Sequence, residues 1–203
     1  MNLKKILLED GRRREVIRTL VRDIIKVYKS EDEGEFYLPN YGDEDKDIYD
    51  FPNFEYDFVL ELILTVDDSI EGFKVDSNFY REDGIITVEI NYNPDNKKQT
   101  TYDLVGELNE ILAHEIRHID QILKGTYNLD VPEEEDPYKY YTQDHELDAQ
   151  VFGFKRLSKI TKTPFDVVVK RWFQTHKDTH MLDDEQTKDV INKILSFKSV
   201  NNR

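Results

Sequence analysis

Apolar positions change their spacing twice along the chain, and each change marks a new kind of element. Val16, Ile17, Leu20, Val21, Ile24, Ile25 and Tyr28 recur at intervals of three and four, which predicts an amphipathic helix over residues 12–29. Residues 30–53 hold many acids together with Gly34, Pro39, Gly42 and Pro52, a composition that predicts a solvated loop. From Phe54 to Tyr92 Val, Ile, Phe and Tyr accumulate, with turn signals at Asp67-Asp68-Ser69 and Arg81-Glu82-Asp83-Gly84. This predicts three strands, at 55–66, 72–80 and 85–92. The last alternates apolar and polar residues over most of its length, as a strand with one buried face does.

Helical spacing then returns. Leu104, Val105, Leu108, Ile111, Leu112, Ile116, Ile119 and Leu123 place a helix at 101–124, with Lys124-Gly125 as its stop. A loop containing Pro132 and Pro137 leads to a helix at 143–160. Thr163 as N-cap and Pro164 as first helical residue open another at 164–175, and Asp183 or Asp184 opens the last, ending near Phe197. Trp172 and Phe173, after Val167, Val168 and Val169, form an apolar cluster at helical spacing and are expected in a core. There is no internal repeat. The order predicts an α+β fold: an N-terminal helix, a small, mostly antiparallel three-stranded sheet, a long helix and C-terminal helices. Residues 1–203 are expected to form a single domain, with 163–203 as a C-terminal helical extension.

Composition narrows the partners. Charged residues reach 35%, but 12% aromatic content argues against wholesale disorder. A formal charge of -15 makes nucleic acid a poor partner, because binding there relies on Lys and Arg displacing counterions. The acid runs Asp43-Glu44-Asp45 and Glu133-Glu134-Glu135-Asp136 are expected to be solvated loops. The apolar run near Met1 is too short for a signal peptide, and no segment approaches the ~20 apolar residues of a membrane helix. A cytoplasmic or particle-associated protein with no membrane partner is expected. With no cysteine, any bound metal must use histidine nitrogen and carboxylate oxygen.

Such a donor set stands within the helix at 101–124, as His114-Glu115-Ile116-Arg117-His118. Residues four apart share a helix face, so both histidines can address one ion. Glu115, beside them, can reach a water at the metal without taking a ligand position and act as general base. With 5 His and 19 Glu in the chain, chance would produce this spacing about 0.01 times, so coincidence explains it poorly. A catalytic zinc needs a third protein donor and an open position. Glu146, early in the helix at 143–160, is the preferred donor, since Ala149 and Gly153 give its face small residues that permit close approach. His145 and Asp148 are the alternatives, and Asp148 can instead orient a histidine from outside the donor set.

His114, Glu115 and His118, with Glu146-Leu147-Asp148-Ala149 downstream, resemble the zincin metallopeptidases, and among them the gluzincins, including small phage and bacterial members. The resemblance covers residues 114–149. It implies a zincin-like fold, Zn2+ held by His114, His118 and Glu146, Glu115 as catalytic base, and a peptide or protein substrate. Strand 85–92 would then align an extended peptide along its edge. The chain departs from the pattern at Gln150, where many gluzincins carry Asp, and lacks the Gly-x-x-His continuation of the metzincins. His176 and His180 repeat the four-residue spacing; a second metal site, a solvated loop, and an oxyanion stabiliser as in similar enzymes are the readings open to them. The alternative to a peptidase is a non-catalytic structural or binding protein of a larger assembly that keeps this fold and metal.

Overall fold

The structure, a computed structural model, describes residues 3–38, 48–49, 56–128, 135–177 and 180–197, with residues 3–10 described in backbone alone. Contacts divide the chain into two units, Met1–Ile116 and Arg117–Arg203, and the division falls inside one continuous helix. No helix among the described residues is long and apolar enough to cross a membrane.

In the first unit, helix α1 runs Leu3–Ser30, longer than the apolar spacing marks, and buries Val16, Ile17, Leu20, Val21, Ile24 and Tyr28 as expected. The sheet contains β1 (Gly34–Leu38), β2 (Ile48–Tyr49), β3 (Phe58–Val66), β4 (Phe73–Tyr80) and β5 (Ile85–Tyr92). Their order is β1-β3-β5-β4, with β2 also paired to β3. The expected three-stranded, mostly antiparallel sheet is therefore corrected in two respects. Two strands form within 30–53, where a loop was expected, and β3 pairs with β5 in parallel, Leu62 opposite Val88.

Both corrections have a physical source. β3 buries Phe58, Leu60, Leu62 and Leu64 and carries Val59 and Ile63 on its other face, so it is a central strand that takes neighbours on both sides. Glu35-Phe36-Tyr37-Leu38 alternates, but over too few residues to stand out among acids and turn formers. Pro39, Gly42, Asp43-Glu44-Asp45 and Pro52 lie outside the described residues. After β3 the chain forms the outer strand β4, then turns at Gly84 (φ 65°) and returns into the middle as β5. β5 is thus paired on both sides, with β3 and β4, and offers no free edge.

A short 3-10 turn at Pro94–Asn96, capped by the Asn93 side chain, leads directly into α2 (Lys97–Leu123), which is why that helix starts earlier than its apolar spacing indicates. Lys97 Nζ donates to the Glu31 carbonyl at 2.6 Å and reaches Tyr92 Oη at 3.2 Å, tying the end of α1 to the end of β5. α2 stops where expected, at Gly125 with φ 65°.

The second unit contains α3 (Pro137–Tyr141), α4 (Asp144–Thr161), α5 (Phe165–Thr175) and α6 (Asp184–Ser196). α3 was not expected; Asp136 caps it by accepting from Lys139 N, and Pro137 occupies its first turn. Thr163 is not the N-cap of α5: Pro164 holds that place without a side-chain bond, and the Thr163 carbonyl accepts from Ser158 Oγ instead. Asp183 caps α6 in a full capping box with Gln186. Leu147, Val151 and Phe154 of α4 share one apolar core with Val168, Val169 and Phe173 of α5 and Val190 and Ile194 of α6.

Candidate metal centre

The motif helix owes its placement to its apolar residues. Leu112, Ala113, Ile116 and Ile119 are fully buried, which fixes the rotation of α2 and with it the direction of His114 and His118. Glu146 sits in the first turn of α4, where the helix dipole favours an anion. It is only 1% exposed, and a carboxylate that buried needs compensating partners. His118 Nε2 stands 3.3 Å from Glu146 Oε2, and Gln150 Nε2 donates to Glu146 Oε1 at 3.1 Å.

His114, one turn before His118 on α2, completes a group in which the three donor atoms lie within 4.8 Å of one another. Two imidazole nitrogens and one carboxylate oxygen suit zinc, and in a tetrahedral site with bonds of 2.0–2.1 Å neighbouring donors stand about 3.3 Å apart. The His118–Glu146 separation of 3.3 Å already has that value. The residues present fit the ion.

The two alternatives to Glu146 have other partners. The His145 ring packs against Tyr127, with centroids 4.8 Å apart, and against His118 at 5.8 Å. Asp148 Oδ2 accepts from Arg117 Nε at 2.6 Å and Gln121 Nε2 at 3.1 Å. Arg117 also reaches Asp120 at 2.5 Å, so it joins the two acids in one ion-pair network beside the donor group. Neither His145 nor Asp148 joins the donor group.

Glu115 is likewise outside the donor group, buried to 5% exposure, and its Oε1 accepts from Ser77 Oγ of β4 at 2.8 Å. His176 stacks on Trp172 and its Nδ1 lies 2.9 Å from the Trp172 carbonyl. His180 is 1% exposed, with Nε2 3.2 Å from the Phe173 carbonyl and Nδ1 accepting from Leu182 N at 3.2 Å. Both its nitrogens are used in holding the segment before α6. Burial pushes its pKa down, partly offset by its hydrogen bond to the Phe173 carbonyl. Asp178 and Thr179, between the two histidines, lie outside the described residues.

Three residues at the site have no role assigned from the sequence, and each leaves a trace there. Ser77 is the polar member of the inward phase Phe73, Val75, Ser77, Phe79. Gln121 follows His118 by three positions, on the same helix face, and Gln150 follows Glu146 by four. A polar residue repeated on a buried helix face is the signal in both cases.

No protein family, no curated protein and no solved structure matches the chain in sequence or fold comparison.

Proposed function

We propose that the chain is a zinc-dependent metallohydrolase of zincin type, cleaving peptide bonds in a peptide or protein substrate. The observation that carries this reading is the convergence of His114, His118 and Glu146 as donors while the adjacent Glu115 stays out of the group. Zinc held there supplies Lewis-acid chemistry towards a peptide carbonyl and the attacking water. Glu115 does the proton work. Ser77 holds Oε1, so Oε2 accepts the proton of the attacking water and delivers it to the amide nitrogen as the C–N bond breaks. The products are a carboxylate and an amine.

Substrate alignment falls to β4 rather than to strand 85–92. Among the described residues β4 pairs with β5 alone, leaving an outer edge of backbone donors and acceptors for an extended peptide. That same strand carries Ser77, so docking on its edge and orientation of the base depend on one element.

The test is cleavage of a denatured protein mixture by the zinc-loaded chain. Wild type is expected to cut it, and Glu115→Gln to retain the metal while losing roughly 10²–10⁴-fold in rate. Wild type that holds zinc and leaves the mixture whole would replace this reading with a non-catalytic binding or structural role.

A further inference from the structure

Metal binding by His118 requires one particular ring nitrogen to be bare, and the second unit contains a residue that decides which. Gln121 stands one turn beyond His118 on α2 and is 3% exposed. Its Nε2 donates to the His145 carbonyl at 2.7 Å and to Asp148 Oδ2 at 3.1 Å. Both partners only accept. Turning the amide round would set its oxygen against a carbonyl and a carboxylate, so the network fixes its orientation. Oε1 therefore faces His118 Nδ1, at 2.9 Å. An amide oxygen cannot donate, so Nδ1 carries the proton. The lone pair of the neutral ring is then on Nε2, the nitrogen 3.3 Å from Glu146 Oε2.

The residues behind Gln121 are themselves fixed. Its carbonyl accepts from Thr126 N at 2.8 Å and Tyr127 N at 3.3 Å, where the chain turns back after Gly125. Asp148 is held by Arg117 at 2.6 Å. A neutral amide in this position orients the ring without adding a further negative charge beside Glu146 and Asp148.

We propose that Gln121 is a positioning residue for the metal: it locks His118 in its Nδ1-protonated form and so presents Nε2 as the donor. The proposal rests on the reading of His114, His118 and Glu146 as a zinc site. Gln150 acts in the same sense on Glu146, holding Oε1 so that Oε2 faces the centre.

Two substitutions separate this role from a merely structural one. Gln121→Met keeps the length of the side chain and removes the acceptor. Gln121→Glu leaves an oxygen facing Nδ1 in either protonation state and removes the amide donors to His145 and Asp148. Zinc affinity is measured by competition with a chromophoric chelator, beside the unfolding midpoint of each variant. Histidine ring nitrogens of the zinc-loaded wild type are assigned by 15N–1H correlation. The wild type is expected to show His118 protonated at Nδ1 with zinc on Nε2. Gln121→Met is expected to bind zinc about 10–100-fold more weakly, and Gln121→Glu to stay within about threefold of wild type whatever its stability. Near wild-type affinity in Gln121→Met, affinity that simply follows stability in both variants, or a His118 Nδ1 without its proton overturns the proposal while the zinc site stands. If Gln121→Met does not fold, the ring assignment and Gln121→Glu decide. A wild type that takes up no zinc overturns the site reading, and this proposal with it.

Discussion

At the scale of single residues, the side chains around the site have partners that leave them little choice. Ser77 has one contact that bears on chemistry, its hydrogen bond to Glu115 Oε1. Ser77→Ala should lower kcat roughly ten- to a hundredfold, the effect of losing one hydrogen bond to a carboxylate, with zinc content unchanged. Parallel kinetics and metal analysis check it, and Ser77→Thr should restore part of the rate. His180 affects stability instead. Burial lowers its folded pKa from the ordinary 6.5, so the unfolded chain binds the proton more readily. Its contribution is fully present above pH ~6.5 and is lost as the pH falls from there towards the folded value. Denaturant titrations between pH 8 and 5 should show stability falling with acid in wild type, and a shallower fall in His180→Gln. Equal slopes would contradict the assignment.

At the scale of elements, the helices were more legible in the sequence than the sheet. The spacing of Leu104, Leu108, Leu112, Ile116 and Ile119 states which face of α2 is buried, and the two motif histidines inherit their direction from it. Asp183 was readable as a cap because a short acid before an apolar-periodic run has a local reason to be there, and Gln186 completes the box. Asp183→Ala should cost about 1 kcal/mol, seen as a lower denaturant midpoint with unchanged slope. Pairing between strands is a property of partners distant in the chain. Nothing local in Ile85–Tyr92 says that it lies between β3 and β4, so its pattern alone does not separate an edge strand from a central one. β1 was missed because five alternating residues carry too little pattern. At the site, His114, Glu115 and His118 were legible from spacing. Glu146, the preferred donor among three alternatives, is the one that joins them in the structure. The roles of Gln121 and Gln150 are not legible in the sequence, because what a neutral amide holds depends on which side chain it faces.

At the scale of the whole molecule, α2 is the element on which the functional reading turns. It carries His114, Glu115 and His118, and Glu146 comes from α4. A metal held by all three donors would link metal occupancy to the folding of the chain, since the donors are separated in sequence and must be brought together deprotonated. The high acid content, which gives a formal charge of -15, does not by itself make such a site, because exposed carboxylates are solvated. What distinguishes Glu146 is its burial beside two imidazoles. The most direct test is therefore the zinc content of the purified, reconstituted chain by elemental analysis, beside His114→Ala, His118→Ala and Glu146→Ala. About one zinc per wild-type chain, with occupancy lost in each of the three variants, is the expected result. Less than about a tenth of an equivalent in wild type, or full occupancy in Glu146→Ala, would contradict the account.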